Sequence, residues 1–118
     1  MSRRTQRVED LLRSALSQVI LREVQDPRVR MTTVTSVEVS PDLRHALVRV
    51  SVLGDDEARA ASVEALRHAA GFLRRQLAVH LRGLRNIPDL RFEMDRGAEY
   101  SQRISDLLES LHDHDKGA

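Results

Sequence analysis

Over the first 20 or so residues, apolar side chains return at every third or fourth position (Val8, Leu11, Leu12, Ala15, Leu16, Val19 and Ile20). That spacing gathers them on one side of a helix. The helix is expected to end near Gln25, because Pro27 disfavours helical geometry at Asp26 and has no amide to continue the ladder. Beyond it, "TTVTSVEVS" is rich in β-branched residues, and "HALVRVSVL" alternates with Ala46, Val48, Val50 and Val52 on one face. Both patterns predict strands. The proline and aspartate of the intervening "SPDLR", Ser40 to Arg44, suit a turn, so the two strands form an antiparallel hairpin. Gly54-Asp55-Asp56 breaks the second strand and supplies carboxylates where a helix start favours negative charge. Helical periodicity then runs to Leu84, and Leu90, Phe92 and Met94 alternate with charged residues as a third strand. Tyr100, Ile104, Leu107, Leu108 and Leu111 predict a further C-terminal helix before the polar tail "HDHDKGA". The expected architecture is an α+β sandwich with helices on one face of a three-stranded sheet, a single domain over 1–111 with a tail over 112–118.

The long helical stretch carries a puzzle at Ala69-Ala70-Gly71. Val63, Leu66, Ala70, Leu73, Leu77, Leu81 and Leu84 share one face of a straight helix, which would tolerate the glycine at a cost of roughly 1 kcal/mol. A straight helix, however, throws Phe72 and Val79 away from that stripe unless the C-terminal helix covers Phe72. A bend at Gly71 turns Phe72 inward, and a glycine there can adopt positive φ or admit another backbone closely. The residues favour the bend.

Composition narrows the function. The chain has 118 residues, 41% hydrophobic and 31% charged, enough apolar material for one modest core. It has no cysteine, so neither a disulfide framework nor a thiolate metal site is available, and a cytosolic setting is the simplest expectation. No apolar run approaches membrane-span length and the N-terminus lacks the apolar stretch of a secretion signal. Net charge is +1, yet the bases are segregated. Between Leu66 and Arg91 six arginines face one acid, Asp89, and Met1 to Arg30 holds seven arginines against four acids. Such polarity suits a polyanion on one side of the molecule.

Several fragments, in order, resemble one known family. They are Arg7-Val8 opening the first helix, Asp26-Pro27-Arg28 ending it, "VEVSPDLRHALVRVSVL" in the hairpin, "AAGFLRRQLA" in the long helix, and "IPDLRFEMD" after it. From about Arg4 to Leu111 the chain resembles the ribosome-binding factor A family. That resemblance implies a type II K-homology (KH) fold, helix-strand-strand-helix-kink-helix-strand, in which an Ala-x-Gly kink replaces the usual Gly-x-x-Gly loop. The kink maps to Ala69, Ala70 and Gly71. It further implies a non-enzymatic cytoplasmic factor that binds free 30S subunits late in maturation, contacts the 5′-terminal helix region of 16S rRNA and promotes processing of its precursor. No function is carried onto the acidic C-terminal segment.

In a straight-helix projection Arg67, Arg74, Arg75, Arg82 and Arg85 adjoin the apolar stripe and form one basic ridge beside the kink. Arg3, Arg4 and Arg7 either extend that patch from the first helix or form a mobile cluster that contacts nothing. Phosphate contacts of this kind give affinity and orientation, strongly salt-dependent, without reading sequence. With only Phe72, Phe92 and Tyr100 as aromatics, an RRM-like stacking platform is not expected. His45, His68 and His80 make no compact ligand pair, "HDHD" reads as a solvated tail, and Asp55-Asp56 reads as helix-start charge. No catalytic residue, metal or cofactor is assigned, no membrane or small-molecule substrate is expected, and the chain is expected to be a monomer. The alternative is a protein-interaction module whose arginines merely solubilise it.

Overall fold

The strand with the cleanest alternation sits at the centre of the sheet. In the computed structural model, which describes residues 3–29 and 31–97 together with Leu107, Leu108 and Leu111, the strand order is β1 (Thr32–Val39), β2 (His45–Val52), β3 (Asp89–Met94). β2 pairs antiparallel with β1 and parallel with β3. Ala46, Val48, Val50 and Val52 are all buried, as their alternation demands. Three helices cover that face: α1 (Arg3–Glu23) against β1, and α2 (Asp56–His68) and α3 (Ala70–His80) against β3, with α1 also packed on α3. Leu12, Leu16, Leu66, Leu73 and Leu77 are fully buried between the layers. The order is the expected helix-strand-strand-helix-kink-helix-strand.

β1 departs from simple alternation. Its buried residues are Val34, Val37 and Val39, and the register steps from Val34↔Val50 to Ser36↔Arg49, leaving Thr35 as the extra residue of a β-bulge. The bulge shifts the phase so that valines three apart both face the core. Its hydroxyl lies 2.6 Å from Asp95 Oδ2 and 3.1 Å from Arg49 O. That contact holds the Asp95 carboxyl below the usual carboxylate range, with the Gly97 amide adding to the effect.

The helix boundaries follow from local chemistry. α1 ends at Glu23, just before Asp26 and Pro27, and a one-turn 3-10 helix, Pro27–Val29, follows. Asp26 accepts the Arg28 amide at 2.9 Å and its guanidinium at 2.6 Å. Ser62 of α2 donates its hydroxyl to the carbonyl of Arg28, fastening this turn to the helix layer. At the start of α2, Asp55 is the N-cap and accepts the Ala58 amide at 2.8 Å, as the Gly54-Asp55-Asp56 pattern implied. Gly54 is required there: its φ is +134° and a Cβ would stand 2.9 Å from that of Ala58. The expected helix to Leu84 instead stops at His80, where Leu81 leaves helical geometry (φ −117°, ψ 56°) and Arg82-Gly83 begin the loop into β3. The C-terminal helix expected from Tyr100 falls almost wholly outside the described residues; Leu107, Leu108 and Leu111 are helical and exposed.

Glu9 of α1 is buried, and no sequence pattern announced it. Its Oε2 accepts the Val39 amide of edge strand β1 at 2.8 Å. Glu9→Ala leaves that amide without an acceptor and is expected to lower unfolding free energy by about 1–3 kcal/mol in urea denaturation, with Glu9→Gln lowering it less. A second expectation concerns Asp26, whose carboxyl the Arg28 hydrogen bonds lower from 3.8 to about 2. A depressed carboxylate contributes stability above its unfolded value that is lost as pH falls through the folded one. NMR titration should therefore place the Asp26 midpoint near 2, and Asp26→Asn should flatten the stability profile between about 4 and about 2.

Candidate nucleic-acid interface

Ala69 is where the long helix breaks. It caps α2 and α3 at once, with φ −85° and ψ −1°, and its amide donates to the carbonyls of Ala65 and Arg67. Ladder bonding is seen again from Leu73 N to Ala69 O at 2.8 Å. Because residue 69 is alanine, no side chain caps the first turn of α3, and the amides of Ala70, Gly71 and Phe72 lie at an uncapped helix N-terminus. Such an end favours anions through its first-turn amides and the helix dipole. Phe72 is partly buried against the core, as a bend requires.

The expected reason for the bend needs correction. Gly71 lies inside the first turn of α3 and does not have positive φ. A Cβ on it would meet only the Arg75 guanidinium, at an ordinary 3.6 Å, and Gly71 is exposed. The break belongs to Ala69, and Gly71 leaves the surface beside it bare.

The expected single ridge is likewise divided. Arg67 donates Nε to the carbonyl of Phe92 at 3.2 Å, which turns it along β3. Arg74 donates Nε to the carbonyl of Ile87 at 2.9 Å and pairs with Asp89 at 3.1 Å, holding the loop that precedes β3. Periodicity could not reveal these partners, because the loop returns from outside the helix. Arg75 and Arg82 are exposed and make no hydrogen bond or ion pair among the described residues. Arg75 lies one turn from the kink, and Arg82 follows Leu81 at the opposite end of α3.

Two clefts flank the helices, and charge distinguishes them. One, of about 1100 Å³, opens between the start of α1, the β1–β2 turn and the loop before β3. Arg3, Arg4, Arg7, Arg44, Arg74 and Arg85 line it, against two acids, Asp42 and Asp89. The N-terminal arginines thus line a shaped surface. Arg44 was missed from sequence because it stands alone after a turn, although its place immediately before β2 puts it at the sheet's end. The other cleft, beside α2 and β3, holds Arg67 with Arg49, Arg59 and Arg96, but also Asp56, Glu64, Glu93 and Asp95. Its four cations meet four acids, so it offers little net attraction for a polyanion. Neither cleft is lined by Ala69, Ala70 or Gly71.

The remaining chemistry is sparse. His68 contacts Glu64 at 3.0 Å on the surface of α2, and His80 is exposed at the end of α3. Among the described residues no three His, Cys, Asp or Glu side chains gather as a metal set, and no helix is long and apolar enough to cross a membrane.

Residues 4–108 match the family profile described as ribosome-binding factor A. A ribosome-binding factor A from Thermomicrobium roseum is 46% identical over 110 residues, covering 93% of this chain and 84% of that protein. The crystal structure of ribosome-binding factor A from Thermus thermophilus superimposes with a TM-score of 0.69 at 30% identity, covering 79% of this chain and 98% of the other. A Thermus thermophilus ribosome binding factor A fitted as a homology model into a cryo-EM map of a 30S complex matches with a TM-score of 0.64 at 31% identity, covering 75% and 92%.

The geometry at residue 71 yields a stability expectation. With helical φ and open space for a methyl, Gly71→Ala should raise unfolding free energy by up to about 1 kcal/mol. A fall in thermal midpoint would show that the glycine is needed for the backbone itself.

Proposed function

This chain belongs to the ribosome-binding factor A family, and from that premise we propose that it docks on immature 30S subunits through the broken helix pair. There it assists late 30S maturation and 16S rRNA processing, binding rRNA near its 5′-terminal helix. The observation that carries this reading is the uncapped N-terminus of α3 at Ala69–Ala70–Gly71, with the unpaired Arg75 and Arg82 on the same helix and its exit. First-turn amides hold a phosphate by direct hydrogen bonds, the Arg75 guanidinium one turn on adds a contact there, and Arg82 at the far end of α3 meets a phosphate further along the strand. A bare Gly71 lets the phosphate chain approach closely. The fitted 30S complex of the Thermus thermophilus protein supports the same partner.

In this reading residues 1–111 act as one KH-like RNA-binding domain, monomeric and cytoplasmic, and the protein performs no covalent chemistry. Arg75 and Arg82 supply phosphate affinity. Arg74 holds the loop before β3, and Arg67 holds α2 to β3; their loss would disturb the fold before it disturbed binding. The kink residues supply geometry.

Arg75→Glu with Arg82→Glu should therefore weaken binding to purified immature 30S subunits by about tenfold or more at moderate salt while leaving the unfolding midpoint in place. The slope of log affinity against log salt should shrink by roughly one per arginine. An unchanged slope would remove these residues from the interface. Gly71→Ala offers an independent check, since the same methyl that steadies the helix should weaken subunit binding.

A further inference from the structure

We propose that the arginine-lined cleft at the start of α1 is a second RNA site, one that takes a single unstacked nucleotide and its flanking phosphates from single-stranded RNA. This rests on the RNA-binding reading above and adds a ligand class to it. Three elements converge there: α1 with Arg3, Arg4 and Arg7, the β1–β2 turn with Arg44, and the α3–β3 region with Arg74 and Arg85. Two acids accompany the six arginines, and Asp89 is already paired with Arg74, so the cleft is strongly positive.

Stability alone gives no reason for this arrangement. The first turn of α1 contains no acid and begins with Arg3 and Arg4, placing cations at the positive end of the helix dipole. Arg3 and Arg7 also stand four apart, a spacing at which like charges repel on a helix. Leu43, in the β1–β2 turn that also lines the cleft, holds φ at 62°, a left-handed conformation that L-residues rarely adopt. Locally unfavourable choices made by two separate elements around one cavity mark a site with a use beyond folding.

The shape specifies the ligand. Besides its arginines the cleft is lined by apolar side chains, among them Leu11, exposed, and the half-buried Leu43 and Leu84. Leu11 is 42% exposed although it belongs to an amphipathic helix. Phosphate binding alone needs no such apolar lining. An unstacked base can lie with its face against Leu11, Leu43 or Leu84 or a guanidinium plane, with its phosphates on the arginines. The volume, about 1100 Å³, suits a nucleotide with its neighbours on either side. The walls are fixed in advance: Asp89 N donates to the carbonyl of Arg44 at 2.9 Å, Arg74 grips Ile87, and Arg44 N donates to Asp42 Oδ1 at 3.1 Å. A site already in its final shape loses little freedom on binding.

The test uses the full chain with methyl NMR and three probes: hexauridylate, a short RNA duplex and inorganic pyrophosphate. Hexauridylate should shift the methyls of Leu11, Leu43, Leu84 and Ile87, the duplex should leave them in place, and pyrophosphate should bind more weakly by about tenfold or more, lacking a base to bury. Arg4→Glu with Arg7→Glu should cut hexauridylate affinity by about tenfold or more. The same variant should keep or raise the melting temperature, because it places acids where the helix dipole favours them. Cleft methyls indifferent to hexauridylate, duplex shifts equal to its shifts, or undiminished affinity in the variant would each overturn the proposal. Parallel measurement of immature 30S binding separates the failures: retained subunit binding confines the error to this cleft, whereas its absence removes the broader reading as well.

Discussion

The parallel pairing of β2 with β3 is the constraint from which the rest of the molecule follows. Parallel neighbours cannot be joined by a tight turn, so the chain must cross from one end of the sheet to the other over its apolar face. α2 and α3 are that crossing. The register His45↔Asp89 then brings the loop before β3 alongside the β1–β2 turn, and the Asp89 amide bonds the Arg44 carbonyl across the junction. The bond from Val39 to Glu9 brings the beginning of α1 to the same end, since Val39 is the last residue of β1. Residues more than 70 positions apart in the chain, Arg7 and Arg85, thereby line one cleft.

A single straight helix could have made the crossing, which is why the break at Ala69 requires its own explanation. It gives up regular capping, and the core compensates: Leu66 before the break and Leu73 and Leu77 after it are fully buried. Burial of each such leucine is worth roughly 1.5–3 kcal/mol, more than the weakened hydrogen bonding of one turn. The chain can therefore expose a helix N-terminus in the middle of its crossing without losing the packing that holds both halves. What it gains is a cluster of backbone donors on a rigid support.

How far the sequence disclosed this depended on whether each feature was local. β2 was legible because every second residue is buried. β1 was legible as a strand but not in register, since the Thr35 bulge depends on Asp95, sixty residues away. The kink was located to within a residue or two, yet its cause was misplaced: glycine suggested positive φ, whereas alanine supplies the break and glycine the open surface. The arginines suffered most. Helical projection shows which side a guanidinium leaves from, but not the Ile87 and Phe92 carbonyls that receive Arg74 and Arg67. Glu9 was invisible for the same reason, because its amide partner lies on a strand thirty residues on.

The two clefts show why charge counted along a chain is a weak guide to charge presented in space. Arg67 and Arg74 are seven residues apart within one basic segment, yet one enters a balanced cleft and the other an excess of cations. Folding sorts them by bringing acids from β3 and α2 to the first and N-terminal arginines to the second. A polyanion approaching through salt solution senses charges within about 8–10 Å, so the cleft at the α1 end attracts it more than the balanced cleft beside α2 does. In the proposed RNA complex the dipole-opposed arginines of α1 would have a physical role: their repulsion in the isolated protein would become attraction once phosphates lay among them.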